Sequence, residues 1–181
     1  MFRFLTRRMI DHLGRRFGYD VSYMHAMLDA SPSAFRRFGK ATALARHREV
    51  VDAAPHFAAN LVGTLGEDCG PCTQIVADMA QRAGVPTAQI AAVLRGQVAE
   101  MHDDVALAYR FASAIFAASP DADALREQVR ERWGDKGVVE LTFALQGSRL
   151  YPMVKAGLGF AKECRQVTVG GESVWAKRQP A

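Results

Sequence analysis

Apolar residues recur at helical spacing through almost the whole chain, in segments cut by glycine or proline every ten to twenty residues. That punctuation constrains the fold most. Amphipathic helices of this length bury one face against one another, and a chain made of them predicts an all-α architecture. Thr73 to Ala83 is one such segment, with Ile75, Val76 and Met79 on a face and Gly84 as its stop. Ser31-Pro32 offers an N-cap followed by proline at the first helical position, opening a helix towards Arg46. Val50 to Leu65 is apolar almost throughout, with Pro55 placed to start or kink its helix. After Gly84-Val85-Pro86, Thr87 caps a short helix to Leu94, and Asp103 or Asp104 opens a longer one through Phe111 and Phe116. Gly134-Asp135 breaks the pattern that starts at Asp121. Beyond it, Val138 to about Lys162 forms a long apolar helix, or two split at Pro152, with Gly147, Ala156, Gly157 and Gly159 allowing close approach of another helix. Period-two patterning occurs only in the tail, where Val167-Thr168-Val169, Gly170-Gly171 and Val174-Trp175 predict a short C-terminal hairpin.

At 181 residues, 49% hydrophobic and 23% charged, the chain is long enough to bury a core without disulfide staples. The segments group as N-terminal helices at 1–48, packing on the core or on a neighbouring subunit, a helical core at 49–164, and a tail at 165–181. The net charge of +4 comes from scattered arginines with no block of five like charges, so nucleic acid is not an expected partner. The first segment places Phe2, Leu5, Met9, Leu13 and Phe17 on one helical stripe beside arginines. That pattern invites a membrane-surface or transit-peptide reading, but a helix packed on protein explains the stripe as well, and no membrane partner is expected.

Chemistry concentrates at Cys69-Gly70-Pro71-Cys72 within Glu67-Asp68-Cys69-Gly70-Pro71-Cys72-Thr73. Cysteines three apart can close a small reversible disulfide. At the start of a helix the backbone N–H groups and the helix dipole stabilise a thiolate. This spacing predicts Cys72 in the first turn and an exposed Cys69, with Asp68 as N-cap. Three cysteines make no secreted disulfide framework, so a reducing cytoplasm is the expected home. Zinc would need further ligands, and Cys164 with His56 or His102 could supply them only by accident of folding; no metal and no cofactor is called for. Cys164 otherwise reads as a small buried hydrophobe. Gly-Pro is also the dipeptide between the thioredoxin cysteines, yet Ala58 to Leu65 lacks the β-branched run of the strand that such a fold needs before its pair.

Helix, cysteine pair, helix, glycine, Val-Pro step and short capped helix is the order in which the chain resembles the alkylhydroperoxidase AhpD-like, or carboxymuconolactone decarboxylase-like, superfamily. The likeness runs over about Val50 to Leu94, centred on the pair, with further support at Asp104 to Ala112 and Val138 to Thr142. It implies an AhpD-like helical bundle that assembles as a homo-oligomer, and a disulfide-forming pair that reduces a small hydroperoxide at the expense of a thiol reductant. It also implies that Cys72 attacks and Cys69 resolves. Two proton-handling positions of the peroxidase branch differ: a histidine four residues after the second cysteine is Val76 here, and a relay glutamate twelve before the first is Phe57. Glu67, His56 and His102 are the candidates left for that work, Glu67 by nearness in sequence and the two histidines because histidine titrates near neutral pH. Two rival functions remain open, a redox-sensing or adaptor protein without turnover and a cofactor-free decarboxylase-like enzyme acting on a small organic acid.

Overall fold

The computed structural model describes residues 2–161 and 166–176. Cys164 lies outside them. The described residues form α1 (Phe2–Phe17), α2 (Ser22–Ala30), α3 (Pro32–Thr42), α4 (Ala53–Gly66), α5 (Gly70–Arg82), α6 (Thr87–Arg95), α7 (Asp103–Phe116) and α8 (Ala122–Gly157), then strands β1 (Gln166–Val169) and β2 (Glu172–Trp175). The fold is all-α with a short antiparallel hairpin at its end. Val167 faces Val174 across the hairpin, and the two-residue turn at Gly170-Gly171 has positive φ at both positions, the dihedrals that suit the strand twist and that glycine adopts without strain.

Helix α4 is apolar on all sides because it is the central element, packed against α5, α6, α7 and α8. Ala58, Leu61, Val62 and Leu65 join Phe111, Leu141 and Leu145 in the larger of two hydrophobic clusters. Its outer edge is closed by the hairpin, whose Val167, Val169 and Val174 are buried in the same cluster. The Gln74 side chain holds the hairpin on α5 as a strand would: Thr168 N–H donates to its Oε1 at 2.7 Å, and its Nε2 donates to the Thr168 carbonyl at 2.9 Å. The hairpin therefore completes the core. A second cluster joins Ile10 of α1, Tyr19, and Tyr23, Met24, Met27 and Leu28 of α2 to Cys69 and Cys72, with Tyr151 and Val154 of α8 packed against it. Helices α1 to α3 thus cover the start of α5 and the end of α8 in their own chain.

Several local expectations shift. Helix α8 runs through Pro152 to Gly157, and the break lies at Gly134, with φ 71° and ψ −174°. Of the four small residues expected to admit a helix, Gly147 has a close neighbour, Ala45, whereas Ala156, Gly157 and Gly159 face solvent. Pro86, not Thr87, is the residue before the first turn of α6. In α1 the expected stripe divides: Leu13 and Phe17 turn inward with Ile10, whereas Leu5 and Met9 stay 58% and 62% exposed. Ser31 behaves as expected, its hydroxyl accepting from Ala34 N–H at 3.2 Å ahead of Pro32.

Candidate functional site

Cys69 is the N-cap residue of α5, and Cys72 lies in the first turn behind Gly70 and Pro71. Asp68 is not the cap: it takes φ 53°, a left-handed conformation that asparagine and aspartate tolerate better than most residues, and it turns the chain out of α4. The first turn is tied back through Cys69, whose carbonyl accepts from both the N–H of Thr73 at 2.9 Å and its hydroxyl at 3.0 Å. The two cysteines are joined as a disulfide, with Cα atoms 5.3 Å apart. Cys69 is not exposed: it is 6% accessible and Cys72 4%. The covering helices are the reason, since Ile10 and the α2 residues fill the space above the pair.

Packing of α1 and α2 brings in a residue that sequence order does not suggest. Gly18 takes a left-handed φ of 57° just after α1, and Tyr19 N–H closes back on the Gly14 carbonyl at 2.9 Å. The chain turns there, and the Tyr19 hydroxyl comes 3.5 Å from Cys72 Sγ. Tyr23, one turn on, meets Tyr19 edge to face at a ring separation of 6.2 Å. Lys155, 1% exposed near the end of α8, places its ammonium 4.8 Å from the Tyr19 ring centroid and 5.7 Å from that of Tyr23. Burial pushes the Tyr19 phenol above its ordinary pKa, and Tyr23 is raised by burial and by the neighbouring Tyr19. Both phenols therefore keep their protons at neutral pH. The arrangement offers a disulfide-bonded cysteine pair with a hydroxyl donor aimed at one sulfur and a cation behind the donor, inside an apolar pocket where such interactions are strong.

Two of the other candidates are engaged elsewhere. Glu67 receives Arg149 Nε at 2.7 Å, in a part-buried ion pair between the end of α4 and α8, and Arg149 also stacks its guanidinium 4.7 Å from the Phe116 centroid. His56 is buried on α4 and its Nε2 lies 3.1 Å from the Ala45 carbonyl, in the 3-10 turn (Ala43–Arg46) that follows α3. Burial, the largest cause, lowers its pKa and leaves the ring neutral. His102 is exposed as the N-cap residue of α7. Val76 and Phe57 both pack against the larger core cluster. Among the described residues no three His, Cys, Asp or Glu side chains group as a metal site, and no helix is long and apolar enough to cross a membrane.

Sequence reasoning missed Tyr19 and Lys155 as parts of the site. A signal for Lys155 existed: it continues the stripe of Leu141, Leu145, Ser148 and Pro152, all buried, so that helical periodicity puts a lysine on the inward face. Comparisons of the chain with protein-family models, with curated proteins and with solved structures found no match.

Proposed function

We propose that this chain is a thiol–disulfide redox protein of AhpD-like type, cycling Cys69 and Cys72 between dithiol and disulfide with an organic hydroperoxide as oxidant. The observation that carries the reading is the Tyr19 hydroxyl 3.5 Å from Cys72 Sγ, at the first turn of a helix that begins with the cysteine pair. A protonated phenol donates to a thiolate, and the helix N-terminus favours the same charge, which supports Cys72 as the attacking sulfur. In the forward step the Cys72 thiolate attacks the terminal peroxide oxygen and the O–O bond breaks. The alkoxide leaves as an alcohol on taking a proton, for which Tyr19 is the nearest hydroxyl donor, and Cys72 becomes a sulfenic acid. Cys69 then attacks that sulfur, the S–S bond forms, and the hydroxyl departs with the Cys69 proton as water. Two thiols supply the two electrons that reduce the peroxide. An external thiol reductant returns them in a reducing compartment, and a homo-oligomer is the expected assembly.

One observation favours a second reading. Both sulfurs lie beneath α1 and α2, so a change of redox state would act directly on the packing of those helices, as a redox sensor without turnover requires. Mixing fully reduced protein with a small excess of cumene hydroperoxide, followed by time-resolved mass spectrometry, separates the two. Formation of the Cys69–Cys72 bond within seconds, with alcohol released in equal amount and with Cys72→Ser inactive, is the expected result. A pair that stays reduced while peroxide remains unconsumed overturns the peroxidase reading. A disulfide that forms with other oxidants and changes the particle size, without peroxide consumption, selects the sensor.

A further inference from the structure

The outer side of α1 carries a second surface, independent of the cysteine pair. Thr6 and Ile10 are buried and Leu13 and Phe17 half-buried, which fixes the inward face of the helix. With each residue turning the helix by about 100°, Phe4, Arg15, Arg8, His12, Leu5, Arg16 and Met9 fall in that order within one arc of about 140°. All seven are exposed, Phe4, Leu5 and Met9 at 62%, 58% and 62%. No acidic residue lies on the arc. Asp11, just past its edge, is held by His25 Nε2 at 2.8 Å, and Arg3 and Arg7, on the side towards α2, are tied to Asp29. Arg8 folds its guanidinium 5.7 Å from the Phe4 centroid, so cation and aromatic ring share one spot.

From this alternation we infer that the outer arc of α1 docks the protein on an anionic membrane surface, lying in the plane of the headgroups. Phe4, Leu5 and Met9 enter the acyl boundary while Arg8, Arg15 and Arg16 meet phosphate and carboxylate groups, the division of labour of an interfacial helix. The charge on the arc selects this occupant. A second copy seated by twofold symmetry would bring the same three arginines against themselves, and a nucleic acid would satisfy the arginines but leave three large apolar side chains against phosphate and water.

The test is co-sedimentation of the full chain with vesicles of phosphatidylcholine containing phosphatidylglycerol, compared with phosphatidylcholine alone. Binding to the first only, weakening with salt, is expected. Arg8→Glu with Arg15→Glu should reduce that binding by at least about thirtyfold, given that each basic residue near the surface contributes roughly fivefold. Leu5→Ser with Met9→Ser should also release the protein. All four positions are exposed, and circular dichroism with particle size confirms that the variants keep the fold. No binding to the anionic vesicles, or binding that both double variants leave unchanged, overturns the proposal. So does a smaller particle in the variants, which would identify the arc as an interface between copies. Failure of the redox reading leaves these results untouched, because vesicle binding requires neither cysteine.

Discussion

The ammonium of Lys155 rests 4.8 Å from the centroid of the Tyr19 ring, and both residues are almost wholly withdrawn from solvent. The two come from opposite ends of the chain, 136 positions apart (155 − 19). Their meeting sets a lysine against the ring whose hydroxyl, among the described residues, lies 3.5 Å from Cys72 Sγ. Tyr19→Phe keeps the ring and the packing while removing only the hydroxyl. A hydrogen bond to a charged group contributes about 1.5–3 kcal/mol, so loss of the hydroxyl should destabilise the Cys72 thiolate and move alkylation of the thiol to higher pH. The pH dependence of alkylation of reduced protein by iodoacetamide reads this directly. An unshifted profile would show that Tyr19 does not donate to the thiolate.

Glu140 is buried in α8 and accepts two backbone N–H groups, from Val50 at 2.7 Å and Val51 at 3.0 Å. It ties the segment leading into α4 to α8. Glu140→Ala leaves both donors without a partner. At about 1–3 kcal/mol for each buried unsatisfied group, the variant should lose several kcal/mol in chemical denaturation and lose hydrogen-exchange protection at Val50 and Val51. Protection that persists at those amides would mean that water replaces the carboxylate.

His56 makes stability depend on pH. Its folded pKa lies below the ordinary value of about 6.5 because the ring is buried, and Nδ1 has no hydrogen-bond partner to receive a second proton. Above pH about 6.5 both folded and unfolded chains hold His56 neutral, and it contributes no slope. As pH falls through 6.5 the unfolded chain takes up a proton that the folded chain refuses, so stability declines. The decline should approach about 1.4 kcal/mol per pH unit until the folded pKa is reached. Tm measured from pH 8 to pH 5 should show it, and His56→Gln, which preserves a donor to the Ala45 carbonyl, should flatten that part of the curve. An unchanged curve in His56→Gln would assign the acid sensitivity to another group.

Two glycines separate close packing from helix propensity. A Cβ on Gly63 of α4 would come 2.6 Å from the Leu145 carbonyl and collide with the Ser148 hydroxyl on α8, so Gly63→Ala should destabilise by about 1–3 kcal/mol. Gly39 in α3 meets nothing within 4 Å, and Gly39→Ala should stabilise by about 0.5–1 kcal/mol through helix propensity alone. Thermal denaturation of the pair should give shifts of opposite sign. Equal effects would contradict the tight contact between α4 and α8.

Much of the fold was legible because its signals are local. Ser31-Pro32, Gly134 and Gly170-Gly171 act through their own backbone dihedrals and nearest hydrogen bonds, and they start α3, break α8 and turn the hairpin where the sequence places them. The cysteine pair at the head of α5 was legible for the same reason. Leu5 and Met9 part from Leu13 and Phe17 because a stripe states which side chains could share a face, and the neighbours of α1 in its own chain use the adjacent face, with Ile10 at its centre.

Residue type and spacing by themselves determined an all-helical chain, its hairpin, and a cysteine pair close enough to join. Only the tertiary structure decided that the pair is covered by α1 and α2, that Tyr19 and Lys155 stand beside it, and that Glu67 and His56 are occupied with Arg149 and Ala45. The physical reason is one of range. Helices and turns follow from dihedral preferences and hydrogen bonds within a few residues, whereas the approach of Tyr19 to Cys72, across 53 positions, depends on how every helix between them buries its apolar face.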